Sequence, residues 1–280
     1  ISCSLVGSEM CIRDRSVWTG YTGAPCKELR RLQAGACGKR ECQLEKGNMC
    51  GSKDLSQAEM RIIMKKYETV VFDLDGTLLN TLEDLADATN YALRTMQMPE
   101  RTIVEVRAFV GNGVRRLMEL SVPGGFDNPK FEETFAVFKK YYGEHCNDKT
   151  RAYDGVVPVL RKLKEKGYAL AIVSNKIDFA VKELNEIYFE GIVQAAIGER
   201  EGVARKPAPD MVHTALAELG KPADTAVYIG DSDVDVMTAK NSGLPCISVL
   251  WGFRDKEFLI EHGATNFAEK PEDIVKFLEQ

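Results

Sequence analysis

From Thr69 onward the chain alternates between short apolar runs and longer stretches of helical period. The run Val70-Val71-Phe72 passes straight into Asp73-Leu74-Asp75-Gly76-Thr77. An apolar run of this length that ends in a turn signal predicts a strand buried on both faces. From Thr81 to Ala152 the period becomes helical. Leu82, Leu85, Ala86, Leu93 and Met96 share one face, and Pro99 stops that helix. Thr102 can cap a second helix carrying Ile103, Val106 and Phe109, and Val114, Leu117 and Met118 mark a third. Asn128 and Pro129 open a fourth, in which Phe131, Phe135, Phe138 and Tyr142 recur at helical spacing. The expectation for this stretch is a small helical bundle with no strand.

Beyond Tyr153 helices and strands alternate. A helix through Val159, Leu160 and Leu163 ends at Gly167, and Ala169 to Val173 reads as a strand. Asp178 is placed to cap the next helix, with Phe179, Val181 and Leu184 on it. A weaker strand over Ile192 to Ile197, a helix over Pro207 to Leu219, and a strand over Ala226 to Ile229 follow. Another helix runs to Gly243, before a strand over Cys246 to Val249. Such alternation predicts a parallel sheet with helices on both faces. The fold class is therefore α/β: a Rossmann-like parallel sheet core (64–81 and 153–280) with an inserted helical-bundle cap (82–152).

Residues 1–63 show neither period, and they hold six of the eight cysteines. No CxxC pair and no His occur among them, which argues against a zinc module. The opening SCSLVGSEMCIRDR resembles a translated sequencing-adaptor read-through, so this segment is expected to be a non-native or disordered extension. Composition is that of a globular protein, 44% apolar and 28% charged, with a net charge of −5. Without a basic run, nucleic acid is not the expected partner. No apolar stretch nears the ~20 residues that cross a bilayer, so no membrane association is expected. Cys146 and Cys246 read as reduced thiols of a cytoplasmic protein. A monomer or homodimer is expected.

Ligands of such sheets sit beyond the carboxyl ends of the strands. Those ends carry Asp73 and Asp75, then Ser174 and Asn175, then Lys206 in RKPAP, then Asp231, Ser232, Asp233 and Asp235. Burying neighbouring carboxylates is costly unless a cation neutralises them. Acids, a hydroxyl and an ammonium converging on one edge make a phosphoryl-transfer kit. Taken singly the signals are weak. Ser174 alone is a turn residue, Lys206 alone a solvated charge, and Asp233 a helix cap. His145, His213 and His262 fall outside the set, and Trp251 and Phe253 read equally well as crevice wall or as core.

The ordered segments DLDGT, VSNK, RKPAP and GDSDVD resemble the four motifs of the haloacid dehalogenase superfamily. A helical insertion after the first motif is similar to its cap type one. Val110-Gly111-Asn112-Gly113 and Tyr153-Asp154-Gly155-Val156 bring the chain nearest to the phosphoglycolate phosphatases, although Asn80 stands where many relatives have Asp. The resemblance implies that Asp73 is a nucleophile forming an aspartyl-phosphate and Asp75 the general acid and base. It implies Mg²⁺ held by Asp73, the Asp75 carbonyl and Asp231. It gives Ser174 and Lys206 contacts to the phosphoryl oxygens, Asp235 the orienting of Lys206, and Thr77 and Asn175 places beside the substrate.

The Gly111-Asn112-Gly113 turn with Arg115 is expected to meet the substrate's carboxylate. The substrate is a small phosphorylated metabolite, with 2-phosphoglycolate the first expectation. A sugar-phosphate mutase or pyrophosphatase of the same superfamily is the alternative, and a catalytically silent binding module the reading from another class. Asp75 and Asp231 argue against a dehalogenase. A phosphonate hydrolase would need a buried lysine in the cap, and nothing marks Lys130, Lys139 or Lys140 as one. No motif lies upstream of Met64. A chain beginning there is expected to match the full chain in melting temperature and turnover, and a marked drop in either would show that the first 63 residues pack on the core.

Overall fold

The computed structural model describes residues 65–280. The extension and its cysteines, with what is expected of them, lie outside the described residues. The main sheet starts at β1 (Thr69–Phe72). After the short strands β2 (Leu79–Asn80) and β3 (Arg151–Ala152), it continues with β4 (Ala169–Ile177), β5 (Ala195–Glu199), β6 (Ala226–Gly230), β7 (Cys246–Val249) and β8 (Phe267–Ala268). Its six strands are parallel, in the order β5-β4-β1-β6-β7-β8. The chain works outward from β1 to β5, then crosses back to β6 on the other side of β1. In open α/β sheets ligands bind where the strand order reverses in this way.

The strands are buried on both faces, which is why Val70, Val71 and Phe72 of β1 form a continuous apolar run that does not alternate. Val70, Phe72, Ile172 and Ile229 face one side. There they meet Leu160 and Leu163 of α5 (Val156–Glu165), Val181 and Leu184 of α6 (Asp178–Phe189), and Ile274 and Leu278 of α10 (Pro271–Leu278). Val71, Val173, Ile197 and Tyr228 face the other side, against Met211, Val212 and Ala215 of α7 (Asp210–Leu219) and Ala239 of α8 (Asp233–Asn241). Each such side chain taken fully out of water is worth roughly 1.5–3 kcal/mol. The remaining helix of the core, α9 (Lys256–Glu261), packs through Leu259.

Between β2 and β3 lie α1 (Leu82–Thr95), α2 (Ile103–Phe109), α3 (Gly113–Ser121) and α4 (Phe131–His145). They enclose their own cluster, with Leu93, Val106, Leu117, Met118, Phe131 and Phe138 buried. Phe138 lies between Phe135 and Tyr142, at centroid distances of 6.4 and 5.3 Å. Thr102 caps α2 as expected, in a reciprocal box with Glu105. The chain leaving the core and the chain returning to it pair antiparallel, Leu79 with Ala152 and Asn80 with Arg151. Asp84 secures the return: its Oδ2 accepts from the Thr150 amide at 2.8 Å and the Thr150 hydroxyl at 2.7 Å.

Several local expectations need correction. The returning segment does contain a strand, β3, whose partner lies on the far side of the whole insertion. The strand expected over Ile192 to Ile197 runs from Ala195 to Glu199, and the helix expected from Pro207 begins at Asp210. Asp178 does not cap α6. β4 continues to Ile177, which takes the cap position, and the Asp178 carboxylate instead accepts from the Gly198 amide at 2.9 Å. Asp233 does not cap α8 either, because Ser232 does so in a box with Asp235. Among the described residues no helix is long and apolar enough to cross a membrane.

Phe138 is 0% exposed at the centre of the cap cluster. Phe138→Ala is expected to cost about 3–5 kcal/mol of unfolding free energy. Denaturant titration checks it, and a loss below about 1 kcal/mol would show that the four helices do not share one packed interior.

Candidate active site

The register of the sheet assembles the site. Phe72 is level with Ile172 on one side and Ile229 on the other, so β1, β4 and β6 finish side by side. The Asp73 amide still donates to the Ile229 carbonyl at 2.8 Å, which fixes the first acid against the end of β6. Gly76 then turns the chain at φ +94°, a region that favours glycine. A Cβ there would stand 2.4 Å from Asp231 Oδ2.

Lys206 is the hub. Its Nζ donates to Asp73 Oδ1 at 2.7 Å, to Asp235 Oδ1 at 2.8 Å and to the Tyr228 hydroxyl at 3.1 Å. Burial works against its charge, but Asp235 and Asp73 outweigh burial and hold the ammonium well above the ordinary lysine range. Asp235 is fully engaged. Besides Lys206 it accepts from the Tyr228 hydroxyl at 3.0 Å, and its Oδ2 accepts from the amides of Asp231 and Ser232 and from the Ser232 hydroxyl. Asp231 is held by the Phe253 amide at 2.7 Å on Oδ2 and by the Thr77 hydroxyl at 3.3 Å on Oδ1.

The donor set suits a divalent metal. Asp73, Asp231 and Asp235 bring carboxylate oxygens within 4.8 Å of one another. Burial, then Asp235, pushes the Asp231 carboxyl up to about 7. Burial and the neighbouring acids push Asp73 well above the ordinary aspartate range against the pull of Lys206. This repulsion is what a hard cation with oxygen ligands relieves. Since Asp235 has its oxygens committed to five donors, Asp73 and Asp231 are the carboxylates with room for a metal.

Asp75 lies apart from that cluster and has partners of its own. Its Oδ2 accepts from the Ser174 hydroxyl at 3.2 Å and its Oδ1 from Lys176 Nζ at 3.0 Å. Burial raises the Asp75 carboxyl, but Lys176 with its hydrogen bonds more than reverses this and holds it below the ordinary range. Lys176 Nζ also donates to the Tyr142 hydroxyl of the cap helix α4. Asn175 Nδ2 donates to the Lys206 carbonyl at 3.1 Å and to the Gly111 carbonyl of the cap at 3.3 Å. Core and cap together line an open cleft, floored by Asp73, Asp75 and Lys206 and roofed by Gly111, Gly113 and Leu117.

The structure thus brings Asp73, Asp75, Thr77, Ser174, Asn175, Lys206, Asp231 and Asp235 to one sheet edge, with Gly111 from the cap. Asn112 is not among the residues lining the cleft. Arg115 is not either. Its guanidinium pairs with Glu132 and lies over the rings of Phe126, Phe131 and Phe135, so a carboxylate in the cleft does not meet it. Lys176, Tyr142 and Gly252 escape the sequence reading. A signal for Lys176 exists, two residues after Ser174 in the same motif, but it requires β4 to run past Val173. Gly252 is required because a Cβ there would come 2.3 Å from Asp231 Cβ.

A parallel sheet carrying this acid cluster, with a helical cap inserted after its first strand, defines a class. Residues 70–249 match the haloacid dehalogenase-like hydrolases, and the chain belongs to that family. It is 31% identical over 211 residues to a phosphoglycolate phosphatase of Aquifex aeolicus, covering 75% of this chain and 96% of that protein. A phosphoglycolate phosphatase of Mesorhizobium japonicum is 32% identical over 193 residues, covering 67% and 84%. Among solved structures, a candidate phosphoglycolate phosphatase of Lactobacillus delbrueckii subsp. bulgaricus superposes with a TM-score of 0.73 at 37% identity, covering 77% of this chain and 99% of that one.

The raised carboxyl groups make stability depend on pH with a defined sign. Between the ordinary aspartate value of 3.8 and about 7, folding takes up a proton at Asp231, and Asp73 shifts in the same direction. Chelated protein is therefore expected to lose stability as pH rises through that window. A divalent cation should restore it most above the window, where Asp231 is ionised. Thermal melts at about pH 5.5 and about pH 7.5 should show the larger metal-induced rise in Tm at the higher pH. Equal rises at both would detach the metal from these acids.

Proposed function

We propose that the chain is a Mg²⁺-dependent phosphomonoesterase that works through an aspartyl-phosphate on a small phosphorylated acid, 2-phosphoglycolate. The observation that carries this reading is the state of Asp73. Lys206 anchors its Oδ1, no donor among the described residues reaches Oδ2, and the carboxylate faces the cleft. A fixed carboxylate with one free oxygen is an available nucleophile. The names of the relatives support the substrate.

In this reading Asp73 attacks phosphorus, and Asp75, ionised beside Lys176 in the free site, must take up a proton with the substrate before it protonates the departing alkoxide. Asp75, by then a carboxylate, takes a proton from the water that hydrolyses the acyl phosphate. Ser174 and Lys176 hold the two oxygens of Asp75 in place for both transfers. Lys206 offsets the charge that develops on the phosphoryl group, and Asp235 keeps Lys206 aimed at it. Asp73 and Asp231 would hold Mg²⁺, which would supply charge neutralisation and orient the phosphate.

Asp73→Asn should leave a folded protein with no phosphomonoester turnover. Asp75→Asn should fall by roughly 10²–10⁴-fold, the usual share of general acid–base assistance. Wild-type turnover should vanish in excess chelator and return with Mg²⁺. Steady-state release of inorganic phosphate checks all three, and substantial activity in pure Asp73→Asn protein would sink the mechanism.

A further inference from the structure

We propose that Lys176 and Tyr142 form the specificity pair of the cleft, binding a carboxylate on the carbon next to the phosphate ester. The assignment rests on the phosphomonoesterase reading and adds to it the part that selects the substrate.

Lys176 is buried, 5% exposed, yet its side chain lines the cleft. Its Nζ has three N–H groups, and among the described residues two are used, by Asp75 and by the Tyr142 oxygen. The Tyr142 oxygen accepts that bond, and its own O–H meets no acceptor among the described residues. One ammonium N–H and one phenol O–H are thus left together at the cap side of the cleft. A carboxylate, with two acceptor oxygens and a negative charge, satisfies both at once.

The charge inventory of the cleft points the same way. Lys176 and Lys206 are the cations that line it. Lys206 is committed to Asp73 and Asp235. Lys176 is paired with one acid only, Asp75, which gives it the greater capacity for a second anion, and the arginine that the cap sequence offers for this task is turned toward Glu132.

Position then limits how far that anion lies from the ester. Lys176 touches Asp75, and Asp75 meets the ester oxygen in the reaction. A group bound by Lys176 therefore lies within a few bonds of that oxygen, a span that an α-phosphoryloxy carboxylate meets. Leu85, Val110, Val114 and Leu117 line the cap side of the cleft. A sugar phosphate would press its hydroxyls against these apolar walls without partners, at the cost of a buried unpaired polar group. The pair thus favours a short acid over a polyol.

The test compares two substrates that share the phosphate and differ in the second anion: 2-phosphoglycolate and p-nitrophenyl phosphate. Tyr142→Phe keeps the ring and the Lys176–Asp75 contact and removes one donor to the carboxylate. It should raise the KM for 2-phosphoglycolate about 10- to 100-fold more than that for the aryl ester, the usual worth of a hydrogen bond to a charged group. Lys176→Met should show a larger difference between the substrates, and Lys176→Arg should recover part of it. Losses of equal size on both substrates would overturn the assignment and leave Lys176 as a positioning residue for Asp75. Aryl ester turnover by wild type with none on 2-phosphoglycolate would overturn the assignment while the phosphomonoesterase reading stands. Failure on both would remove that reading itself.

Discussion

The ammonium of Lys206 is the contact on which the rest of the site depends. Four aspartates, Asp73, Asp75, Asp231 and Asp235, crowd one edge of a buried sheet, and two of them bond directly to this nitrogen. Two like charges about 4 Å apart in such surroundings repel by roughly 4 kcal/mol at an effective dielectric of 20. Lys206 turns part of that repulsion into attraction, and the fold supplies the remainder in hydrogen bonds. Asp235 shows the extent of it, taking five donors that leave it no freedom to move or to bind a metal. The backbone has yielded to the same demand. Gly230 and Gly252 are glycine because any Cβ would occupy the space of Asp235 and Asp231.

Burial and the neighbouring acids raise the carboxyls of both Asp73 and Asp231, and a protonated carboxyl neither attacks phosphorus nor holds a cation. The acids across the cleft are treated differently. Asp75 has Lys176 beside it and is held below the ordinary range, so the two aspartates of one DxD segment differ in ionisation because of their neighbours. Divergent environments for paired acids are a recurrent way of giving them separate tasks. Here the division falls between an acid set toward a metal and an acid set toward the cap.

How much of this the sequence discloses depends on the range of each interaction. The core acids were legible because their order follows local rules: an apolar strand, a glycine turn, then the carboxylates. Thr102 and the phenylalanine repeat of α4 were legible for the same reason, since capping and helical period act within a few residues. β2 and β3 were not, because two residues of strand carry no period and pair only across the entire cap. Arg115 was placed on the right helix, but a neighbouring glycine turn does not reveal that its guanidinium pairs with Glu132 and lies over the rings of Phe126, Phe131 and Phe135. Lys176 was hidden by a strand that continues four residues past its expected end, from Val173 to Ile177.

The loop after β7 joins the two halves of the molecule, and nothing in its period announces it. The Phe253 amide donates to Asp231 while its ring sits in the hydrophobic cluster of the cap. Next to it, the Arg254 guanidinium donates to the carbonyls of Arg107, Ala108 and Val110 at the end of α2, where helix carbonyls lack partners of their own. A cation at that end also meets the negative pole of the helix. One residue therefore orients the acid that can hold a metal and anchors in the lid above it, and its neighbour fastens that lid. The cleft and the cap cannot be positioned independently, because they share this dipeptide.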